Sequence, residues 1–391
     1  MQIINKDRPS PEWIAATRKR FEVEREVDRA LTYKMEKRSG PPYTRLPLET
    51  LVQGVTSLIG AHLKDPFEVS DARWLAGGAS KLQMAFNLRW NRPGVGPETT
   101  RMVLRNDLAE ALHATSRLRE FQVVAALDGA LPVPPVFWVD VMAEHLPYPG
   151  IVYGFVGGVT KPSNAKSGVT GLGTYMPEEI RRKLAPQFVE HLARLHTFDF
   201  RKAKLTAFDV PKAGSQNAQW AVNWWDRVWQ EDADEEVPLV ALASSWLHKH
   251  APSVEHLSIV HGDFRTGNYL ADESGVTAIL DWEGAHLGDP IEDLGWLCVK
   301  SWRFGAVDQP AGGFGSREQL WQAYERAGGG TVDPARAHWW EVFGTVRWGT
   351  ICLTQAWRHL SGTVKSMELA TIGRRAVETE VDLLQLMKNG S

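Results

Sequence analysis

Residues 258–283 read SIVHGDFRTGNYLADESGVTAILDWE and hold, in one short stretch, the side chains that phosphoryl transfer needs. A β-like run ends at His261-Gly262-Asp263, and Asn268 follows five residues after the aspartate. The turn Asp272–Gly275 then leads into an apolar strand that delivers Asp281 at its end. Asp263 suits the carboxylate that orients or deprotonates an attacking hydroxyl. Asn268 and Asp281 offer an amide oxygen and a carboxylate, hard ligands able to hold Mg2+ against the β- and γ-phosphates of ATP. Arg265 stands two residues past the base, where a cation can meet the charge developing on the transferred group. Little covalent chemistry is left for the protein in such a reaction, so positioning dominates.

The rest of the chain has to do that positioning. FEVSDARWL, LQMAFNLRW and TRMVLRN are β-rich runs with alternating apolar residues, separated by Gly77-Gly78 and by the Gly/Pro-rich loop 91–99. They read as consecutive antiparallel strands. A helix over TSRLREFQVVAAL follows, then Pro132, Pro134 and Pro135, then strand-like runs at 136–140 and 150–156. After a polar Gly/Ser/Lys loop the periodicity is helical over 177–196, 215–230, 236–250, 291–303, 316–327, 334–360 and 365–388, interrupted at 257–281. Before the strands, 10–37 and 48–63 read as helices, the first opening on Ser10-Pro11-Glu12. The expected organisation is α+β: a helical N-terminal extension (1–66), a small sheet lobe (67–156) and a large helical lobe (157–391).

HGDFRTGN resembles the catalytic loop of protein kinases, with HGD in place of HRD as in aminoglycoside phosphotransferases and choline kinases. ILDWE and GDPIEDLGWL resemble the metal-binding segment of that superfamily and its continuation. The resemblance covers roughly 67–391 and implies a bilobal protein-kinase-like fold: a small antiparallel-sheet lobe that binds ATP and a large, mainly helical lobe. It places Gly77, Gly78 and Ser80 in the loop over the phosphates, and Arg105 of MVLRN where protein kinases carry a third-strand lysine. It makes Glu120 the partner of Arg105 and assigns adenine to backbone groups near Phe155 and Val156. Competing readings stay open for two of these, an exposed edge-strand arginine for Arg105 and a solvated helix face for Glu120. Glu283 is a further candidate for approaching a second metal. His196 in LARLHTFDF reads as structural, Asp289-Pro290 as a helix cap, and Asp293 as a brace for the catalytic loop. VLR, HGDFRTGN and GTVRWG together resemble the kinase-like domains associated with acyl-CoA dehydrogenases, which implies a hydroxyacyl-CoA or hydroxy acid as phosphate acceptor.

Composition narrows the partners. A formal charge of −3 and a pI near 6.5 over 391 residues provide no basic face for nucleic acid. No apolar run reaches about 18 residues, so no membrane span is expected. MQIINKDRPSPEW lacks the apolar segment of a signal peptide, and Cys298 and Cys352 are too few for a disulfide framework, so a cytoplasmic setting is the expectation. Of 17 tryptophans, 13 lie at or beyond Trp220; most read as core, a few as lining of a flat apolar cleft. Residues 300–391 carry 11 Lys and Arg against 9 Asp and Glu, without the acidic surplus that a polycation needs. Arg347, Arg358, Arg374 and Arg375 suit a neutral or anionic small molecule better, against the competing reading of a solvated helix face, which is the favoured one for Arg374 and Arg375. The rival readings are a kinase for a macrolide or aminoglycoside, and a nucleotide-binding scaffold without turnover.

Overall fold

Alternating apolar residues on three successive strands build the first layer. In the computed structural model, which describes residues 6, 8–38, 46–75, 82–107, 115–159, 177–233, 237–303, 306–360 and 367–389, the chain opens with helices α1 (Pro11–Arg20), α2 (Arg25–Lys37) and α3 (Leu48–His62). Strands β1 (Glu68–Trp74), β2 (Leu82–Arg92) and β3 (Gly96–Asn106) follow, then helix α4 (Arg117–Leu127), β4 (Val136–Asp140) and β5 (Gly150–Gly154). The sheet is antiparallel throughout, in the order β1-β2-β3-β5-β4. One face packs on α3: Leu51, Val55, Leu58 and Ile59 meet Phe86, Leu88, Met102, Leu104 and Val152, all buried. Each such side chain contributes about 1.5–3 kcal/mol relative to exposure.

The second lobe is mainly helical: α5 (Glu178–Thr197), α6 (Gln216–Asp232) and α7 (Pro238–Lys249), then four short strands, β6 (Ser258–Val260), β7 (Tyr269–Ala271), β8 (Val276–Ile279) and β9 (His286–Gly288). Helices α8 (Ile291–Cys298), α9 (Arg317–Arg326), α10 (Pro334–Leu360), α11 (Met367–Gly373) and α12 (Ala376–Asn389) complete it. The strands form two hairpin-like pairs, β6 with β9 and β7 with β8, which bring the segments before and after the catalytic stretch side by side. The long α10 lies against α6, α7, α8, α11 and α12. Its crossing with α8 is close because Gly295 has no side chain, and a Cβ there would sit 2.5 Å from that of Trp340. The fold is α+β and bilobal, as the sequence implies.

Three boundaries differ from the sequence reading. The segment 10–37 is two helices, because the chain turns at 21–24 to bury Phe21 and Val23 and to present Glu24 to Arg119. Helix α8 ends at Cys298 and passes into a 3-10 turn, and 365–388 divides into α11 and α12. Gly373 ends α11, but no Gly or Pro marks the other two breaks, where tertiary packing overrides helical periodicity. Ser10 does cap α1, its hydroxyl accepting from the Trp13 amide. At the start of α8, Pro290 is the cap residue, and the Asp289 carboxylate accepts from the Ile291 amide.

Candidate functional site

The loop after β6 turns on Gly262, whose φ is +77° and where a Cβ would lie 2.5 Å from the Gly284 carbonyl oxygen. Only glycine fits such a conformation so close to another backbone. The fully buried Asp293 of α8 anchors the turn, accepting from the amides of His261 (2.7 Å) and Gly262 (2.9 Å) and from His196 Nε2 (3.1 Å). Burial pushes the Asp293 carboxyl up, but the His196 hydrogen bond and neighbouring histidines outweigh it and hold it below the usual range. His196 is held in turn by Tyr324, 2.7 Å from its Nδ1. The structural role expected for His196 and the bracing role expected for Asp293 therefore belong to one relay. His261 accepts from the Asp263 amide at Nδ1 (3.1 Å), so Nε2 carries the proton and donates to the Leu280 carbonyl (3.0 Å). Burial lowers its pKa and keeps the ring neutral.

Asp263 projects from this anchored turn with its side chain partly exposed, 19%. Arg265 Nε donates to Oδ1 (2.9 Å), Trp296 Nε1 donates to the same oxygen (2.8 Å), and Asn268 Nδ2 donates to Oδ2. Asn268 Nδ2 also donates to the Asp263 carbonyl (2.9 Å), which leaves the amide oxygen as its ligating atom. Arg265 stacks 4.4 Å from the Trp302 ring centroid.

Asp281 lies two residues past β8 in left-handed backbone, φ +66°, a costly conformation for a non-glycine residue that aims its carboxylate toward the small lobe. There Arg105 of β3 bonds Asp281, Glu283 Oε2 (3.2 Å) and Glu120 Oε1 (3.1 Å). Glu120 of α4 also accepts from Tyr153 (2.5 Å) and from Arg117, and Arg117 reaches Asp107 (2.9 Å) and Glu283 (3.3 Å). Burial alone would favour a neutral Arg105, but Asp281, Glu120 and Glu283 outweigh it and fix its charge. Among the described residues the cluster sets two guanidinium groups against four carboxylates, a formal surplus of two negative charges. A divalent cation fits that surplus, and the carboxylate of Asp281 with the amide oxygen of Asn268 is a hard-oxygen donor set suited to Mg2+. Among the described residues no three His, Cys, Asp or Glu side chains form a metal cage by themselves.

The structure thus joins Asp263, Arg265 and Asn268 in one group and Asp281, Arg105, Glu120 and Glu283 in another. Phe155 follows β5, its amide donating to the Arg101 carbonyl (2.9 Å) and its ring lying 3.7 Å from the Arg101 guanidinium. A base contact at this point would pass to the Phe155 carbonyl and the Val156 amide. Gly77, Gly78 and Ser80 lie outside the described residues. Sequence reading missed Trp296 and Tyr153, which touch Asp263 and Glu120 through long-range packing, and Arg117, which lies one turn before Glu120 on α4; the Trp296 position inside GDPIEDLGWL and the i,i+3 spacing of Arg117 and Glu120 were the available signals. It also left open how Arg347 is used: its side chain is buried and donates to the Gly262 carbonyl.

Comparison with known proteins places this geometry. The family model of the phosphotransferase enzyme family matches residues 87–329, more than half of the chain. Mouse acyl-CoA dehydrogenase family member 10 is 26% identical over 284 residues, 66% of this chain and 23% of that protein. Human acyl-CoA dehydrogenase family member 11 is 32% identical over 109 residues, 27% of this chain and 14% of that protein. The chain therefore spans less than a quarter of the length of these relatives. A Ralstonia eutropha protein assigned to the aminoglycoside phosphotransferases superposes with a TM-score of 0.62 at 22% identity, covering 88% of this chain and 99% of that one. A type I macrolide 2'-phosphotransferase superposes at 0.55 and 20% identity, covering 85% and 99%. The likeness to these structures is one of fold, and with the family match it makes the chain a member of the phosphotransferase enzyme family.

Proposed function

We propose that the chain moves the γ-phosphate of ATP, with Mg2+, to a hydroxyl of a small molecule, a hydroxyacyl-CoA or hydroxy acid. The observation that carries the reading is the joining of Asp263, Arg265 and Asn268 on the turn built on Gly262, with the amide of Leu280, the residue before Asp281, bonded to the Asn268 carbonyl (2.8 Å). Asp263 takes the proton of the acceptor hydroxyl; Trp296 and Asn268 hold its carboxylate in one orientation, and Arg265 stands beside it to meet phosphoryl charge. Asn268 and Asp281 would hold Mg2+, which when bound neutralises charge on the phosphates. Arg105 exchanges its contact with Asp281 for phosphate oxygens while Glu120 keeps it in reach, and its fork addresses two oxygens where a lysine would address one. The relatives named for acyl-CoA dehydrogenases, and the absence of an acidic surplus in residues 300–391, support an acyl acceptor over a polycationic one.

The test is ATP consumption against a panel of hydroxyacyl-CoA compounds and hydroxy acids. Turnover should appear with one of them and fall at least ~100-fold in Asp263→Ala and in Asp281→Ala. Full activity in either variant would overturn the assignment.

A further inference from the structure

A narrow slot lies between α2, α6 and α10, walled by Val27, Trp224, Trp225 and Phe343, with Asn217 and Arg347 among its polar groups. The slot has room for one small planar polar group. Asn217 is 95% buried, and neither its Nδ2 nor its Oδ1 has a hydrogen-bond partner. Arg347 is sandwiched between the rings of Trp225 (5.0 Å) and Trp296 (4.4 Å); it bonds the Gly262 carbonyl, while its buried Nε has no partner. The other charged groups at the slot are already matched. His286 pairs with Glu292 at 3.0 Å, and the Glu24 carboxylate takes Arg119 (2.9 Å) and the Asp209 amide (2.8 Å).

The slot therefore offers two donors and one acceptor, all buried and unmatched, against indole walls. A buried polar group left unmatched is costly, so a ligand answering all three is favoured over one answering two. A carboxylate would satisfy Arg347 Nε and Asn217 Nδ2 but set its lone pairs against Asn217 Oδ1. A secondary amide supplies a carbonyl for both donors and an N–H for Oδ1 in one planar group.

We propose that this slot binds the planar amide group of the acceptor substrate, of the kind carried by a pantetheine arm. The proposal rests on the phosphotransferase reading above and adds which part of the acceptor is gripped. Arg347 hydrogen-bonds Gly262, the residue immediately before Asp263, so an arm held here reaches the loop that carries the base. One wall belongs to α2, which lies outside residues 87–329 matched by the family model, so this specificity is built partly by the N-terminal segment.

The probe is D-pantetheine, titrated into the intact chain by calorimetry and by ligand-observed saturation-transfer NMR. Wild type should bind it; Asn217→Leu should weaken binding at least tenfold, and so should Val27→Trp, which fills the slot from α2. Binding of Mg-ADP should be unchanged in both variants, which separates loss of the slot from loss of the fold. Pantetheine that fails to bind wild type, or that binds both variants as tightly as wild type, would overturn the proposal and leave the slot to ordered water. The nucleotide reading fails separately, if Asp281→Ala binds Mg-ADP as wild type does.

Discussion

The loop carrying Asp263 is held by hydrogen bonds to backbone groups, whereas Asp281 and Glu283 are held by a cluster of opposed charges. Asp293 takes two amides and a histidine in one fully buried geometry, and the turn at Gly262 leaves no space for an alternative. The Arg105 cluster spreads two cations over four carboxylates, so contacts can be re-partnered when phosphates or a cation arrive. The difference teaches that one side of the site is pre-formed and the other is balanced, as the proposed roles of a fixed base and an exchanging nucleotide require.

Breaking the pre-formed side should cost most. Asp293→Ala leaves two backbone amides and His196 without their acceptor and should lower stability by about 3–5 kcal/mol in urea unfolding. The pH dependence sharpens the same point. Because the folded Asp293 carboxyl sits below its ordinary value, its stabilisation is present above about pH 4 and is lost as pH falls through the folded value. Asp293→Asn should flatten the acid limb of the stability curve; an unchanged limb would contradict the bracing role.

On the balanced side, Glu120→Gln removes one of four carboxylates that two arginines share. It should destabilise by about 2–3 kcal/mol and weaken Mg-ADP binding, since Arg105 loses the partner that holds it in reach. Arg105→Lys keeps the charge but not the fork. A loss of about 1–2 kcal/mol in nucleotide affinity is expected, with stability changed less. The smallest effect belongs to the outer end of the relay: Tyr324→Phe removes one hydrogen bond to His196 and should cost about 1 kcal/mol.

The same contrast explains what was legible in the sequence. His261, Asp263, Asn268 and Asp281 lie within 21 residues of each other, so their spacing carries the geometry. The pairing of Arg105 with Glu120 came from resemblance, because the two lie 15 positions apart on different elements, β3 and α4. Tyr153 reaches Glu120 and Trp296 reaches Asp263 only after the sheet, α4 and α8 have packed, and Arg117, though one turn from Glu120, meets Glu283 only then. The N-terminal segment was least legible. Nothing in 10–37 indicates that Lys34 and Arg38 will enclose Asp232 of α6 (2.9 Å for Lys34), or that Glu24 will clasp Arg119 of α4. Such contacts join residues up to 198 positions apart, and amphipathic periodicity says which face is buried but not against what.

The most direct test of the account is transfer of labelled phosphate from [γ-32P]ATP to a hydroxyacyl-CoA, compared between wild type and Asp263→Asn, with Mg-ADP affinity measured on both. The expected result is product from wild type, at least ~100-fold less from the variant, and equal nucleotide affinity, since Asp263 lies in the pre-formed loop and not in the charge cluster. Equal product from both proteins would contradict the account.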